Sequence, residues 1–300
     1  MIMNESLAIA SDWTRQIGNG IKPSSIALRD HLNTVHNANT GFTEACAWNS
    51  RDANGKNSYQ LLADIIDLKY HSDVLDLGCG SGVLLELCDQ RFETRLKLSG
   101  IDMSNAELEL ARQRLVHTDA KLYQGIAQNI DFIPDSSFDV ILCHWALTLM
   151  DPVIPALTAI KRILRDNGVF AAIIDGDRET EPTYTEVHNI IYKYVQQEYP
   201  DYGMLDLGDP RIRTTNELRD LLIKKFDTAD IEITPVLLSL IDKPYILARK
   251  ASGFFYASFV LSAMGHRDML LELEDYFAEL PDGENSRFNM PVNKLVIRQN

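Results

Sequence analysis

The 300-residue sequence predicts an α/β fold, a doubly wound and mainly parallel seven-stranded sheet with an N-terminal helical cap and helical lid insertions. Three observations carry that expectation. Short β-branched runs alternate with helical segments between residues 72 and 175; a glycine-rich turn, Gly78-Cys79-Gly80-Ser81-Gly82, joins the first run to a helix; and an acid, Asp102, closes the second run.

Taken in order, residues 5–17, 24–36 and 57–69 read as helices. The second starts at Pro23-Ser24-Ser25, the third spaces Leu61, Leu62, Ile65 and Ile66 along one face, and Gly18-Asn19-Gly20 and Asn54-Gly55-Lys56 separate the three. Residues 1–70 are therefore expected to form the cap. Strands follow at 73–77, 97–101, 120–124, 139–144 and 169–174, with helices at 81–92, 104–116 and 153–165 between them. This alternation implies βαβ crossovers, so residues 71–176 are expected to form a parallel core covered on both faces. Helical periodicity returns at 184–197, 215–226, 245–263 and 266–279, interrupted by a strand at 230–240. A final strand at 292–297 is expected to close the sheet, which gives 177–300 as sheet completion plus lid. Within it, Phe254, Phe255, Tyr256, Phe259, Val260 and Leu261 are apolar on nearly all sides of a helix, as in a buried lid element rather than a membrane anchor.

A composition of 45% hydrophobic and 8% aromatic residues fits a folded globular chain. The net charge of −14, from 43 acids against 29 bases, repels phosphate backbones and argues against nucleic acid as a partner. Cys46, Cys79, Cys88 and Cys143 form no CxxC pair, which suits a reducing compartment. With no basic amino-terminal region and no apolar run of about 18 residues, neither secretion nor membrane insertion is indicated, and a cytoplasmic location is expected. His31, His36, His71, His117, His188 and His266 show no ligand-type spacing, so no metal is expected. The sequence carries no signal for oligomeric state.

The chemistry is concentrated in Val74-Leu75-Asp76-Leu77-Gly78-Cys79-Gly80-Ser81-Gly82. Glycines let a backbone turn sharply against a ligand, and the following helix start offers free N–H donors. A dinucleotide fingerprint would need a small residue at Val83 and would not welcome a carboxylate at Asp76. Asp76 repels a pyrophosphate and attracts an ammonium group, while Asp102, at the end of Leu98-Ser99-Gly100-Ile101, can accept ribose hydroxyls. The ligand implied has an adenosine half and a cationic amino-acid half.

VLDLGCGSG resembles the first motif of the class I S-adenosylmethionine-dependent methyltransferases, over roughly residues 58–175. The resemblance implies a Rossmann-like methyltransferase fold and S-adenosyl-L-methionine as cofactor. It implies that Asp76, Gly78, Cys79 and Gly80 surround the methionine portion, that Asp102 takes the ribose, and that Met103 lies against adenine. Ala127 and Gln128, in Gly125-Ile126-Ala127-Gln128-Asn129, stand where the family contacts adenine, although the usual acid is absent. Tyr59 is expected near the methionine carboxylate, and Cys143 belongs to the wall that the fourth strand presents to the cofactor.

Transfer from a sulfonium is an in-line displacement, so positioning does much of the work and a base is optional. His144, at the carboxyl end of a strand, is the candidate base or orienting group, with a pocket-shaping histidine as the plain alternative. Trp145, Tyr59 and Tyr184 are aromatic faces that could stabilise a sulfonium or simply pack. Asp175 and Asp177 could bind a cationic acceptor, cap a helix or face solvent. The expected activity is methyl transfer to a small-molecule metabolite. Alternatives are an enzyme that consumes the cofactor without methyl transfer, as azetidine-2-carboxylate synthases do by cyclisation with release of methylthioadenosine, and a non-catalytic protein that only binds it. A nicotinamide oxidoreductase ranks last because of the glycine spacing and Asp76.

Overall fold

The computed structural model describes residues 8–203 and 207–299, so residues 5–7 of the first expected helix lie outside the described residues. Helices α1 (Asp12–Gly18), α2 (Ser25–Ala38), α3 (Glu44–Asn49) and α4 (Ser58–Ala63) precede strand β1 (Asp73–Leu77). The alternation then runs α5 (Val83–Phe92), β2 (Lys97–Asp102), α6 (Asn105–Arg114), β3 (Lys121–Gln124), β4 (Phe138–His144), α7 (Val153–Ile163) and β5 (Leu164–Asp175). Beyond it lie α8 (Pro182–Glu198), α9 (Thr215–Lys225), β6 (Asp230–Asp242), α10 (Pro244–Ser252), α11 (Ala263–Ala278), β7 (Pro281–Asp282) and β8 (Asn285–Arg298).

The sheet order is β3-β2-β1-β4-β5-β8-β6, with the short β7 paired to β8 as an eighth strand that the sequence did not predict. Strands β1 to β5 are parallel, and β8 runs antiparallel to β5, from Val169 opposite Arg298 to Asp175 opposite Val292. The final strand thus lies between β5 and β6 and does not form the border. Its Leu295, Val296 and Ile297 are buried, as an interior position requires, whereas β6 carries Glu232 and Pro235, residues suited to an edge. Strand order reverses beside β1, whose neighbours are β2 and β4, and ligands of open α/β sheets bind beyond the carboxyl ends of strands at such a switch point.

The chain divides into two compact units. The first comprises Gly55–Asp177, Leu207–Val236 and Val292–Asn300. One face of its sheet, including Leu75, Leu77, Ile141, Cys143, Phe170 and Ala172, packs with α7 and α9. Val153, Ala156, Leu157, Ile160 and Ile163 of α7 recur at helical spacing and are almost completely buried, each large side chain contributing about 1.5–3 kcal/mol. This core holds the carboxyl ends of β1 and β4 in place. Helix α4 belongs to this unit and stops at Ala63, short of the expected residue 69, because the Asp67 side chain accepts the Lys69 N–H in a local turn that competes with helix.

The second unit comprises Met1–Asn54, Arg178–Asp206 and Leu237–Pro291 and is mainly helical. Its core is aromatic: His36 Nε2 lies 2.7 Å from the Tyr256 hydroxyl, Phe42 meets Tyr256 and Phe259, and Tyr184 packs with Phe255 and Phe288. The apolar run at 254–261 is buried as expected, but not in one helix over 245–263. Helix α10 ends at Ser252, and Tyr256–Val260 form a 3-10 turn because the Ser258 hydroxyl reaches the Ser252 and Phe255 carbonyls, each at 2.8 Å.

Candidate cofactor and active site

The turn after β1 is built against the end of β2. The N–H groups of Gly78 and Cys79 both donate to the Ile101 carbonyl, at 2.8 and 3.0 Å. Gly78 has φ +77°, and a Cβ there would lie 2.4 Å from the Ala146 Cβ, so only glycine fits. The Gly80 N–H donates to Asp102 Oδ2 and the Ser104 N–H to Oδ1, each at 2.8 Å. Two backbone donors on two oxygens orient the Asp102 carboxylate beside the glycine turn.

Asp76, one residue before the strand ends, is 1% exposed, and its Oδ1 has no hydrogen-bond partner among the described residues. Burial, and then the charge of Asp102, push its carboxyl up to about 8. Ionising a carboxyl buried in this way is costly unless something positive reaches it. Cys79 contributes its backbone to the turn, while its thiol is buried and raised above the ordinary range by burial and the surrounding acids.

The adenine-side candidates converge by backbone bonds. The Gly125 N–H donates to the Asp102 carbonyl at 2.9 Å, and Asn129 N–H to Ile126 O at 2.8 Å closes a turn carrying Ala127 and Gln128. The Gln124 amide donates to the Met103 carbonyl at 3.3 Å. Asp102, Met103, Ala127 and Gln128 thus stand at neighbouring strand ends.

At the end of β4 the lining is aromatic. The His144 ring stacks on Tyr59 with centroids 3.9 Å apart and an interplanar angle of 19°, and meets Trp145 edge-on at 4.7 Å. His144 Nε2 lies 2.8 Å from Ser58 Oγ. Burial lowers the imidazole to about 3, so it is neutral at physiological pH. Trp145 takes φ +58°, a left-handed conformation rare for a bulky residue, fixed by its N–H donating to Ile173 O at 2.8 Å. Cys143 points away from this edge into the apolar core with Ile141 and Leu147, and burial raises its thiol to about 12.

Residues 75–172 match the family model described as a methyltransferase domain. A demethylmenaquinone methyltransferase of Listeria monocytogenes is 24% identical over 175 residues, spanning 49% of this chain and 73% of its own. Residues 75–172 thus form a methyltransferase domain, in keeping with the class I S-adenosylmethionine-dependent resemblance of the glycine turn. Solved structures share the fold: YcgJ of Bacillus subtilis has a TM-score of 0.54 at 18% identity, covering 81% of this chain and 98% of its own, and the [4+2]-cyclase SpnF has 0.52 at 16% identity, covering 98% of both.

The methyltransferase is an S-adenosylmethionine-dependent transferase, and the residues of its glycine turn fit that cofactor. The unpartnered, buried Asp76 oxygen suits a ligand that carries an ammonium group, and a Cβ-free turn beside an oriented carboxylate suits an adenosine. When bound, the cofactor supplies a methyl group activated by a sulfonium leaving group.

Some residues of this edge escape sequence reasoning. Ser58 is fully buried against His144, and Glu107, 2% exposed, stands behind the turn, its Oε2 4.0 Å from where a Gly80 Cβ would lie. Asn57 and Gln60 form a capping box, a readable signal for where α4 starts and hence for which residues its first turn presents. Asp175 is ion-paired with Arg213 at 2.9 Å, so it neither caps a helix nor stands open to a cationic acceptor; Asp177 is exposed. Tyr184 packs within the helical unit. Among the described residues no cluster could hold a metal and no helix is long and apolar enough to cross a membrane.

Proposed function

We propose that this methyltransferase moves the sulfonium methyl of S-adenosylmethionine by in-line displacement onto an uncharged, ring-bearing small molecule at the carboxyl edge of β4. The observation that carries the reading is the Tyr59–His144 stack with its depressed imidazole, which places neutral aromatic rings at the end of β4, the strand paired with β1 ahead of the glycine turn. Arg213 already neutralises Asp175 at the end of β5, which favours an acceptor recognised without that carboxylate. Relatives named demethylmenaquinone methyltransferases support a quinone-like ring.

In this reading Asp76 holds the amino group, the Gly78, Cys79 and Gly80 backbone surrounds the methionine portion, and Asp102 accepts the ribose hydroxyls. Met103, Ala127 and Gln128 enclose adenine, Tyr59 borders the methionine end, and His144 and Trp145 orient the acceptor so that nucleophile, methyl and sulfur stay in line. The acceptor's electron pair forms the bond to the methyl carbon as the carbon–sulfur pair returns to sulfur, and the proton displaced from the acceptor leaves to solvent. Cys143 acts only through its backbone. A net charge of −14 disfavours nucleic acid, and four buried free cysteines support a cytoplasmic enzyme.

Mass spectrometry of the nucleoside formed with 1,4-naphthoquinol as acceptor tests this. S-adenosylhomocysteine with methylated quinol is expected. Methylthioadenosine would point to cyclisation of the cofactor, and unchanged cofactor despite tight binding to a non-transferase, a use of this fold represented by the cyclase SpnF.

A further inference from the structure

Ser58 and His144 are 86 residues apart in sequence, and their contact decides where the imidazole proton sits. Ser58 Oγ is fully buried, and His144 Nε2 at 2.8 Å is its one bond among the described residues. A hydroxyl has one proton, and a buried proton without an acceptor is penalised. If Nε2–H donated to Ser58, the serine proton would be stranded. If the serine donates to Nε2, both groups are satisfied and the ring's single proton lies on Nδ1. No described residue is bonded to His144 Nδ1, and the residue is half-buried at the end of β4.

We infer that Ser58 is a positioning residue that holds His144 as the Nδ1–H tautomer, making it a fixed hydrogen-bond donor to an oxygen of the acceptor and not a base. The inference rests on the acceptor site proposed above and narrows its chemistry to a molecule with a carbonyl or hydroxyl oxygen next to the carbon that receives the methyl group. An Nδ1–H bond to that oxygen fixes the acceptor in line with the methyl–sulfur bond, and the proton that the methylated carbon loses passes to solvent and not to His144. The depressed imidazole agrees, since a ring that protonates only near pH 3 accepts a proton poorly at pH 7. Stacking on Tyr59 prevents the ring from tipping out of line.

The test is two-bond proton–nitrogen NMR on full-length protein labelled with 15N in its histidine rings, with His144 assigned as the pattern missing from His144→Gln. The ligand-free wild type is expected to show His144 protonated on Nδ1 and unchanged from pH 5 to 8. Ser58→Ala should lose that preference and Ser58→Thr should keep it. Asn57 and Gln60 still cap α4 in both variants, and circular dichroism confirms folding. A wild-type ring protonated on Nε2, or an alanine variant with an unaltered pattern, overturns the inference. With S-adenosylhomocysteine present, 1,4-naphthoquinone should shift the Nδ1 resonance in the wild type; no shift at the solubility limit overturns the acceptor half. The tautomer is read without substrate, so its failure is distinct from failure of methyl transfer, which appears as missing S-adenosylhomocysteine.

Discussion

Two stretches of one sheet edge use opposite physics. The β1–β2 side is acidic: Asp76, Asp102 and Glu107 crowd a turn with little side-chain bulk, and Asp76 is left as a buried carboxyl at about 8. The β4 side is neutral and flat: Tyr59 and His144 stack, and burial holds the imidazole at about 3. The first side is suited to a ligand that brings positive charge, the second to one that brings surface and an oxygen. The difference separates cofactor selection from acceptor selection, and substitutions on the two sides should fail differently.

The largest effect is expected at Gly78. Gly78→Ala places a Cβ against Ala146 in a left-handed conformation, which should lower stability by about 2–4 kcal/mol and abolish cofactor binding. Thermal unfolding and calorimetry with S-adenosylhomocysteine check both; unchanged binding would mean that the turn does not need its close approach. Next, Asp102→Ala should weaken the cofactor by about 1–3 kcal/mol through lost hydrogen bonds and a released Gly80 N–H, measured by the same titration.

Asp76 gives a smaller, pH-dependent effect. Its folded pKa lies above the ordinary 3.8, so the folded chain keeps a proton that the unfolded chain releases, and stability should fall as pH rises from about 4 to 8. Asp76→Asn should flatten that slope in melting curves. Binding a cationic ligand at pH 7 should expel the proton, visible as heat that varies with buffer ionisation enthalpy in the wild type and not in the variant. The smallest effect belongs to the neutral side. The folded pKa of His144 lies below the unfolded 6.5, so its contribution is complete above pH 6.5 and is lost as pH falls toward 3. His144→Gln should therefore reduce the acid sensitivity of the melting temperature while leaving the Asp76 window untouched.

The acidic side was legible in the sequence because it is local. Asp76 precedes the glycines directly, and Asp102 follows at the distance one βαβ unit imposes. Strand alternation could also have put Cys143 with Ile141 on the core face, which separates it from His144. The neutral side was not legible in the same way. His144 and Trp145 could be placed at a strand end, but the Ser58 contact depends on tertiary packing across 86 residues, and a serine at a helix start ordinarily reads as a cap. Strand order was hidden for a related reason: periodicity identifies β6 and β8 as strands without saying which takes the border.

The most direct measurement is a crystal structure of the complex with S-adenosylhomocysteine. The ligand's amino group should sit on the previously unpartnered Asp76 oxygen and its ribose hydroxyls on Asp102, with the Gly80 N–H still bonded to that carboxylate. A ligand lodged elsewhere, or Asp76 left without a partner in the complex, would contradict the assignment.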